Sequence, residues 1–470
     1  MRGMRGPLPT LLLAAALSGC AAHRAPLSEL EANGAAIFVY LDPLPPGAEG
    51  LQAEVASVHL VGGAEAADAP LTLALAHLEE GGAKHQRLLA FGVVPPGSYR
   101  GVAVQMTAAS LRGGSGAGAL QVPDTPEPLE YPLALERKGA ALIVLRLQLG
   151  ESLREGRAFV PTFTAASPGL LTPGLTALML GTGMPVLTVV HKLTGEVFAV
   201  ERTASGPSAA VLDPAAERAY VSCAVDDVVE TFDLQRHVRE PSFPLLSGDA
   251  PAAMALTRDG RTLVAVNAGS GTVTVLDAPT IAQRFRLSVG DEPRALVLAD
   301  DDRRAFVLNT GSSSVSVVDL QQGTLLGTIA VDASPRFAAL DPRGGRLYVG
   351  HLDSPYLVVL RLADLSVERR AYVGPGLVAM AVDPRTHRLF LARRGTGSIE
   401  VFDPQSLLPV DTVRSGGDVA FLTLDLEGDR LWAAMSRGRQ VRTFRLVGGD
   451  PLSTTDLGTN PAWVVVAGGK

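Results

Sequence analysis

Downstream of Pro185 the chain alternates short apolar runs with polar or glycine-rich breaks, and the runs return in register. "RAYVSC" starts at Arg218, "TLVAVN" at Thr262, "RAFVLN" at Arg304, "RLYVGH" at Arg346, "RLFLAR" at Arg388 and "RLWAAM" at Arg430. The first step is 44 residues and the other four are 42. "PVLTVVH" at Pro185 reads as an earlier copy, which makes seven. Each copy passes through a polar turn into a second run such as "GTVTVLD" or "SSVSVVD", and most are preceded by an alanine-rich run such as "AMAL" or "RFAAL". Runs rich in β-branched residues and bounded by Gly and Asp predict strands. A repeat near 42 residues predicts a radial array of small sheets. Alanine suits strands crowded against a central axis.

The first copy has no alanine-rich run before it, only residues 167–184, which read as a linker broken by Pro and Gly. The chain ends in "PAWVVVAGG" (461–469), a strand pattern with no outer strands after it. The two gaps fit each other. The pattern predicts a seven-bladed β-propeller over 185–470 whose first blade is completed by the C-terminal strand, because closure removes a free sheet edge. On this reading the first blade keeps only a reduced outer strand.

Residues 35–166 follow a different rule. "AAIFVYLDPL", "AEVASVHLVGG", "SYRGVAVQMTA" and "AALIVLRLQL" read as strands, and "LPPGAEG", "VPPGSYR" and "RGGSGAGA" as turns. Several short strands in this length predict a small β-sandwich. "GVVPPGSYRGVAVQM" resembles the P-x-G-x-Y hairpin of transthyretin-like modules, which are accessory in the proteins that carry them. The expected fold class is all-β.

The N-terminus reads as an address. Arg2 and Arg5 precede an apolar stretch from Leu8 to Leu17 that is too short to span a bilayer. Leu17-Ser18-Gly19-Cys20 then resembles the bacterial lipobox. That resemblance implies a signal peptide at 1–19, cleavage before Cys20, lipid on the Cys20 sulfur and a lipidated tether over 20–34. Ala21 in place of Asp implies the outer membrane, with neither face specified.

Composition narrows the function. The formal charge is -7 with no long basic run, which argues against a nucleic-acid partner. Cys20 and Cys223 are the only cysteines, too few for a disulfide framework. "RLYVGH", "TLVAVNAGSGTVTVLD" and "DPRGGRLYVG" are similar to the YVTN-type repeats of seven-bladed propellers. A propeller hosts unrelated functions, so the resemblance implies a scaffold and leaves the activity open.

One position varies where the rest of the repeat is uniform. At the expected end of the second strand stand His191, Cys223, Asn267, Asn309, His351, Arg393 and Met435. They are expected to form a chemically mixed ring at the channel mouth. Nearby turns add Asp226, Asp227, Asp249, Asp291, Glu292, Asp332 and Asp353, while Arg393, Arg394, Arg414, Arg437 and Arg439 gather on the last two blades. A face acidic on one side and basic on the other suits capture of a polar partner. Asp233, Asp277, Asp319 and Asp403 recur at the ends of third strands and read as turn caps. His59, His77 and His85 lack a carboxylate or cysteine to complete a metal set, and Cys223 reads as a small buried residue. No nucleophile elbow, phosphate loop or His-Glu-x-x-His motif occurs. His191 and His351 could serve as axial haem ligands by position only.

The function expected is a non-catalytic outer-membrane lipoprotein that reaches the membrane through its lipid and binds an envelope protein, peptide or glycan, with no cofactor or metal. The alternatives are a lactonase-like propeller hydrolase and a purely structural envelope protein.

Overall fold

The computed structural model describes residues 33–467, apart from 49, 65, 79–84, 114, 115, 156, 167–173 and 300. The protein is all-β. From Thr176 onward it forms seven four-stranded antiparallel sheets. Six are continuous in sequence and run from an inner strand to an outer one, starting at Pro207, Pro251, Pro293, Pro335, Leu377 and Val419. These are sheets two to seven. Sheet one is assembled from both ends of the region. Its strands lie in the order Asn460–Val466, Thr176–Thr182, Val186–His191, Val197–Arg202 from inside outward. Each inner strand packs against the inner strand of the next sheet, and Asn460–Val466 touches those of sheets seven and two, so the series closes on itself.

This closure revises the first repeat. Residues 176–182 lie inside the stretch expected to be a linker, yet they form the second strand of sheet one and pair with Asn460–Val466. "PVLTVVH" is therefore a third strand: Val186 precedes Val228, the start of the third strand of sheet two, by 42 residues. The outer strand Val197–Arg202 is complete. The signal was present in "TALMLG", whose positions are buried without alternation. A strand covered on both faces has no period-2 pattern to distinguish it from an apolar linker.

Four inner strands begin with proline, at Pro207, Pro251, Pro293 and Pro335, and that of sheet one carries Pro461 as its second residue. An inner strand has a neighbour on one side only, and an edge tolerates a missing N–H. The apolar core lies between consecutive sheets: Val264, Val275, Val307 and Val318, for example, join sheets three and four.

The N-terminal residues form a five-stranded sheet centred on Ala35–Leu41 and a six-stranded sheet built around Leu51–Gly62 and Gly97–Gly113. Both contribute to one core that includes Ile37, Val39, Leu60, Val102 and Leu145. The Pro95-Pro96-Gly97 turn does not make the expected hairpin. It carries the chain from Arg87–Val94 in one sheet to Gly97–Gly113 in the other. Tyr99 Oη donates to Pro95 O at 2.9 Å and fixes this crossover.

Strand Ala35–Leu41 is buried at all seven positions because both of its faces are covered. Ile37, Val39 and Leu41 face the N-terminal core. Ala36, Phe38 and Tyr40 face Met179, Val186, Trp432, Val441 and Val464, which belong to sheets one and seven. Polar contacts ring this seam. Tyr40 Oη donates to Asp456 O at 2.8 Å, and Arg87 Nε pairs with Asp456 Oδ2 at 2.6 Å. Val197 N donates to Gln86 Oε1 at 2.9 Å, and the Arg439 guanidinium lies 4.9 Å from the Phe91 ring centre. The N-terminal sheets thus cover the junction at which the ring of sheets closes.

Truncating Phe38 to Ala is expected to cost roughly 3–5 kcal/mol, through lost burial and the cavity left behind. The measurement is the urea midpoint of the full chain. An unchanged midpoint would show that this seam carries no stability.

Candidate functional site

The expected ring at the end of the second strand shifts by one member. Pro461 pairs with Gly181 as Pro207 pairs with Cys223, so Gly181 holds that position in sheet one. A side chain has no room there, since a Cβ on Gly181 would come within 1.6 Å of Thr459 Oγ1. His191 instead ends a third strand, on the opposite face of the ring. Its Nδ1 accepts from Thr194 N at 3.2 Å. Asp277, at the same place in sheet three, accepts from Thr280 N at 3.2 Å. His191 is thus a turn cap, and Asp233, Asp319 and Asp403 cap their own turns in the same way.

The other members turn into the sheets. Cys223, Asn267 and Asn309 are 0% exposed and His351 is 1% exposed, so none can meet a ligand at the surface. Each reaches across to the third strand of its own sheet. Asn267 Nδ2 donates to Thr272 Oγ1 at 3.0 Å and Thr274 Oγ1 at 2.9 Å. Asn309 Nδ2 repeats this with Ser314 at 3.0 Å and Ser316 at 2.9 Å. Arg393 pairs with Glu400. His351 Nδ1 lies 3.1 Å from Tyr356 O, so it carries the proton, and burial lowers the pKa of the ring. Cys223 Sγ sits 3.6 Å from Glu230 Oε2. Burial, and then the Glu230 charge, push its thiol far up, which leaves it protonated and inert as a nucleophile.

The turn carboxylates hold backbone in place. Asp226 Oδ2 accepts from Ser205 N at 2.7 Å. Asp227 accepts from Ala250 N at 2.7 Å and Gly248 N at 2.8 Å, fastening the connection into sheet three. Asp249 receives both Nη atoms of Arg286, at 2.7 and 2.6 Å. Asp332 accepts from Ser354 at 2.7 Å and pairs with Arg370 at 2.5 Å, and Asp353 accepts from Ser334 Oγ at 2.6 Å. The acidic half of the expected face is therefore largely engaged in bracing the loops, although Asp226 and Asp353 are exposed as Asp291 and Glu292 are. The basic half divides. Arg439 stacks on Phe91 at the seam, whereas Arg394, Arg414 and Arg437 are exposed. Cys20 lies outside the described residues.

A second ring lies nearer the axis, and the sequence pattern alone did not single it out. The inner strand of every sheet carries a register shift near its start, between Pro207 and Ala209, Pro251 and Ala253, Pro293 and Ala295, Pro335 and Phe337, Leu377 and Ala379, Val419 and Phe421, and Pro461 and Trp463. The residues left out of the ladder are Ser208, Ala252, Arg294, Arg336, Val378, Ala420 and Ala462. A β-bulge re-aims the side chain it expels. Five of these residues are small or short, and the two long ones are adjacent arginines. The repeated "PR" in "PRALVL" and "PRFAAL" was the available signal.

No protein-family model matches the chain, and no curated protein matches it. Similar solved structures include two that span more than half of this chain. Hydrazine synthase of Kuenenia stuttgartiensis is 17% identical, with 56% of this chain and 90% of that chain covered and a TM-score of 0.49. The dihydro-heme d1 dehydrogenase NirN, in complex with DHE, is 13% identical, with 64% of this chain and 78% of that chain covered and a TM-score of 0.50. At 13% identity the NirN likeness bears on the fold alone. With the closed series of four-stranded sheets, it makes this chain an all-β protein of β-propeller fold.

Asp249 gives a test of the bracing. Burial alone would raise its carboxyl, but Arg286, Ser270 and the Leu246 amide together hold it below the usual carboxylate range. A depressed carboxyl stabilises the fold in full above the ordinary Asp pKa of ~3.9 and loses that contribution as pH falls through the depressed value. Asp249→Asn is expected to cost about 1–3 kcal/mol at neutral pH. Urea midpoints followed downward from neutral pH should fall more steeply in the wild type than in this variant. Parallel curves would remove Asp249 as a brace.

Proposed function

We propose that this chain is an outer-membrane lipoprotein, lipidated on Cys20, whose seven-bladed propeller and accessory transthyretin-like sandwich bind an envelope protein, peptide or glycan without catalysis. The observation that carries the reading is the division of labour on the face bearing the inter-sheet connections. Asp226, Asp227, Asp249 and Asp332 tie its loops down, while Arg394, Arg414 and Arg437 on sheets six and seven remain exposed. A rigid platform with uncommitted charge suits recognition, because little loop entropy is lost on binding. The lactonase-like alternative gains no support from these carboxylates, which already hold amides and guanidinium groups.

Two outcomes are expected. Cys20→Ala should move the protein from the membrane fraction to the soluble fraction of a Gram-negative envelope and abolish labelling by a palmitate analogue. Membrane retention without label would overturn the anchor. Arg394→Glu with Arg437→Glu should weaken capture of crosslinked envelope partners by about tenfold, with a shallower salt dependence. Capture equal to wild type would overturn the proposed face.

A further inference from the structure

Arg294 and Arg336 occupy the bulged position on the inner strands of two neighbouring sheets. They are held close together: Arg336 Nη1 donates to the Arg294 backbone carbonyl at 3.4 Å. Arg336 is partly withdrawn from solvent, and that long bond is its hydrogen bond to the protein among the described residues. Arg294 has one acidic neighbour, Glu292, at 3.8 Å, with the two side chains 42% and 58% exposed. Such an open contact is worth little. The other arginines on the same face show what a structural guanidinium does in this fold. Arg286 grips Asp249 with two bonds, and Arg370 pairs with Asp332. Arg336 has no such carboxylate among the described residues.

The other members of the ring are short. Around the same ring stand Ser208, Ala252, Val378, Ala420 and Ala462, none of which reaches far. Ser208 is already committed, with its Oγ 2.6 Å from Pro251 O. Two arginines on adjacent inner strands therefore stand in a ring whose other members carry short side chains, with the Arg336 guanidinium against the Arg294 backbone. Burial, and then the Arg294 charge, pull the Arg336 pKa down. Arg286 and Arg370 on the same face are each held by a carboxylate, whereas Arg336 has none among the described residues and Arg294 has only the open contact with Glu292; the planar forks of arginine match an oxyanion with two or more oxygens.

We infer that Arg294 and Arg336 form an oxyanion-binding site at the axial mouth of the ring, taking a phosphate or carboxylate group between them. The site rests on the propeller-binding reading and deepens it, because it gives the ligand a chemistry. A free small anion and a group carried on a larger envelope ligand share the same recognised element: two or more oxygens held by the two forks.

The test is isothermal titration of the full chain with inorganic phosphate and, separately, with citrate. Both arms use wild type, Arg294→Gln, Arg336→Gln and Arg336→Lys, with Arg343→Gln on the opposite face as the control. Binding is expected to weaken about tenfold or more in each Gln variant. It should weaken less in Arg336→Lys, which keeps the charge and loses the fork, and stay unchanged in the control. Preference for phosphate points to a phosphoryl ligand and preference for citrate to a carboxylate one, and either supports the site. No heat with either anion, or equal affinity in Arg336→Gln, overturns it.

Thermal unfolding separates binding from a structural role. With no anion present, Arg336→Gln should melt at or above the wild-type temperature, because it removes an uncompensated charge. A lower melting temperature would mean that the bond to Arg294 O is the purpose of the side chain, and the site falls. The titration uses no protein partner, so it decides the oxyanion site even if the exposed arginines of sheets six and seven capture nothing.

Discussion

A ring of sheets holds only if its two ends meet, and here they meet through one strand. Asn460–Val466 supplies the inner strand of sheet one and pairs with Thr176–Thr182, so the last residues of the chain satisfy the backbone of the first sheet. Without that strand, Thr176–Thr182 would present an open ladder of N–H and C=O groups at the most crowded place in the molecule. The N-terminal sheets answer the same constraint from outside. Phe38 and Tyr40 fill the wedge between sheets seven and one, and Arg87, Gln440 and Tyr40 all converge on Asp456. Lys192, 2% exposed, adds a bridge at that junction through Asp425, Glu427 and the Ala467 carbonyl. The pairing of Asn460–Val466 with Thr176–Thr182 is the one joint in the ring that chain continuity does not supply, and polar and apolar contacts gather beside it, between sheets seven and one.

Chemical variety within a repeat has two different meanings in this protein. The end of the second strand changes from Gly181 to Cys223, Asn267, His351, Arg393 and Met435 because each residue is matched to its own neighbours. Asn267 finds two threonines where Arg393 finds Glu400 and Cys223 finds Glu230. Variation of that kind is local compensation, since a buried polar group must be paired. The bulged position of the inner strand changes from Ala or Ser to Arg294 and Arg336 with no bracing carboxylate like that of Arg286. A repeat departs from its own rule there without a packing reason, and such a place is where function is to be sought.

How much could be read from the chain differs from element to element. The 42-residue period, the alanine-rich inner strands and the Asp turn caps were legible because strand alternation and turn chemistry act over a few residues. Thr176–Thr182 was missed because its partner strand lies 278 residues away, from Thr182 to Asn460, and a doubly buried strand shows no alternation. His191 was assigned to the wrong strand for the same reason, since the count of strands in sheet one depends on that missing member. The candidate site was the least legible part. Asp227 and Asp249 look like free surface acids in sequence, and only the folded connections show that one binds Gly248 and Ala250 and the other Arg286.

By itself, the sequence determined the class of the protein: all-β, repeating, built of short strands with capped turns. It also marked the C-terminal strand as the one that must return to the start, because an unpaired strand at each end of a repeat array has only one economical partner. Tertiary structure decided which way side chains point at the two ring positions. A single expelled residue in each inner strand reverses the facing of the residues after it. That local shift sets Arg294 and Arg336 out of the inner-strand ladder, whereas Asn267, Asn309 and His351, on the second strands, are drawn in by partners on the third strands, and the pattern of hydrophobic and polar letters is nearly the same in either case.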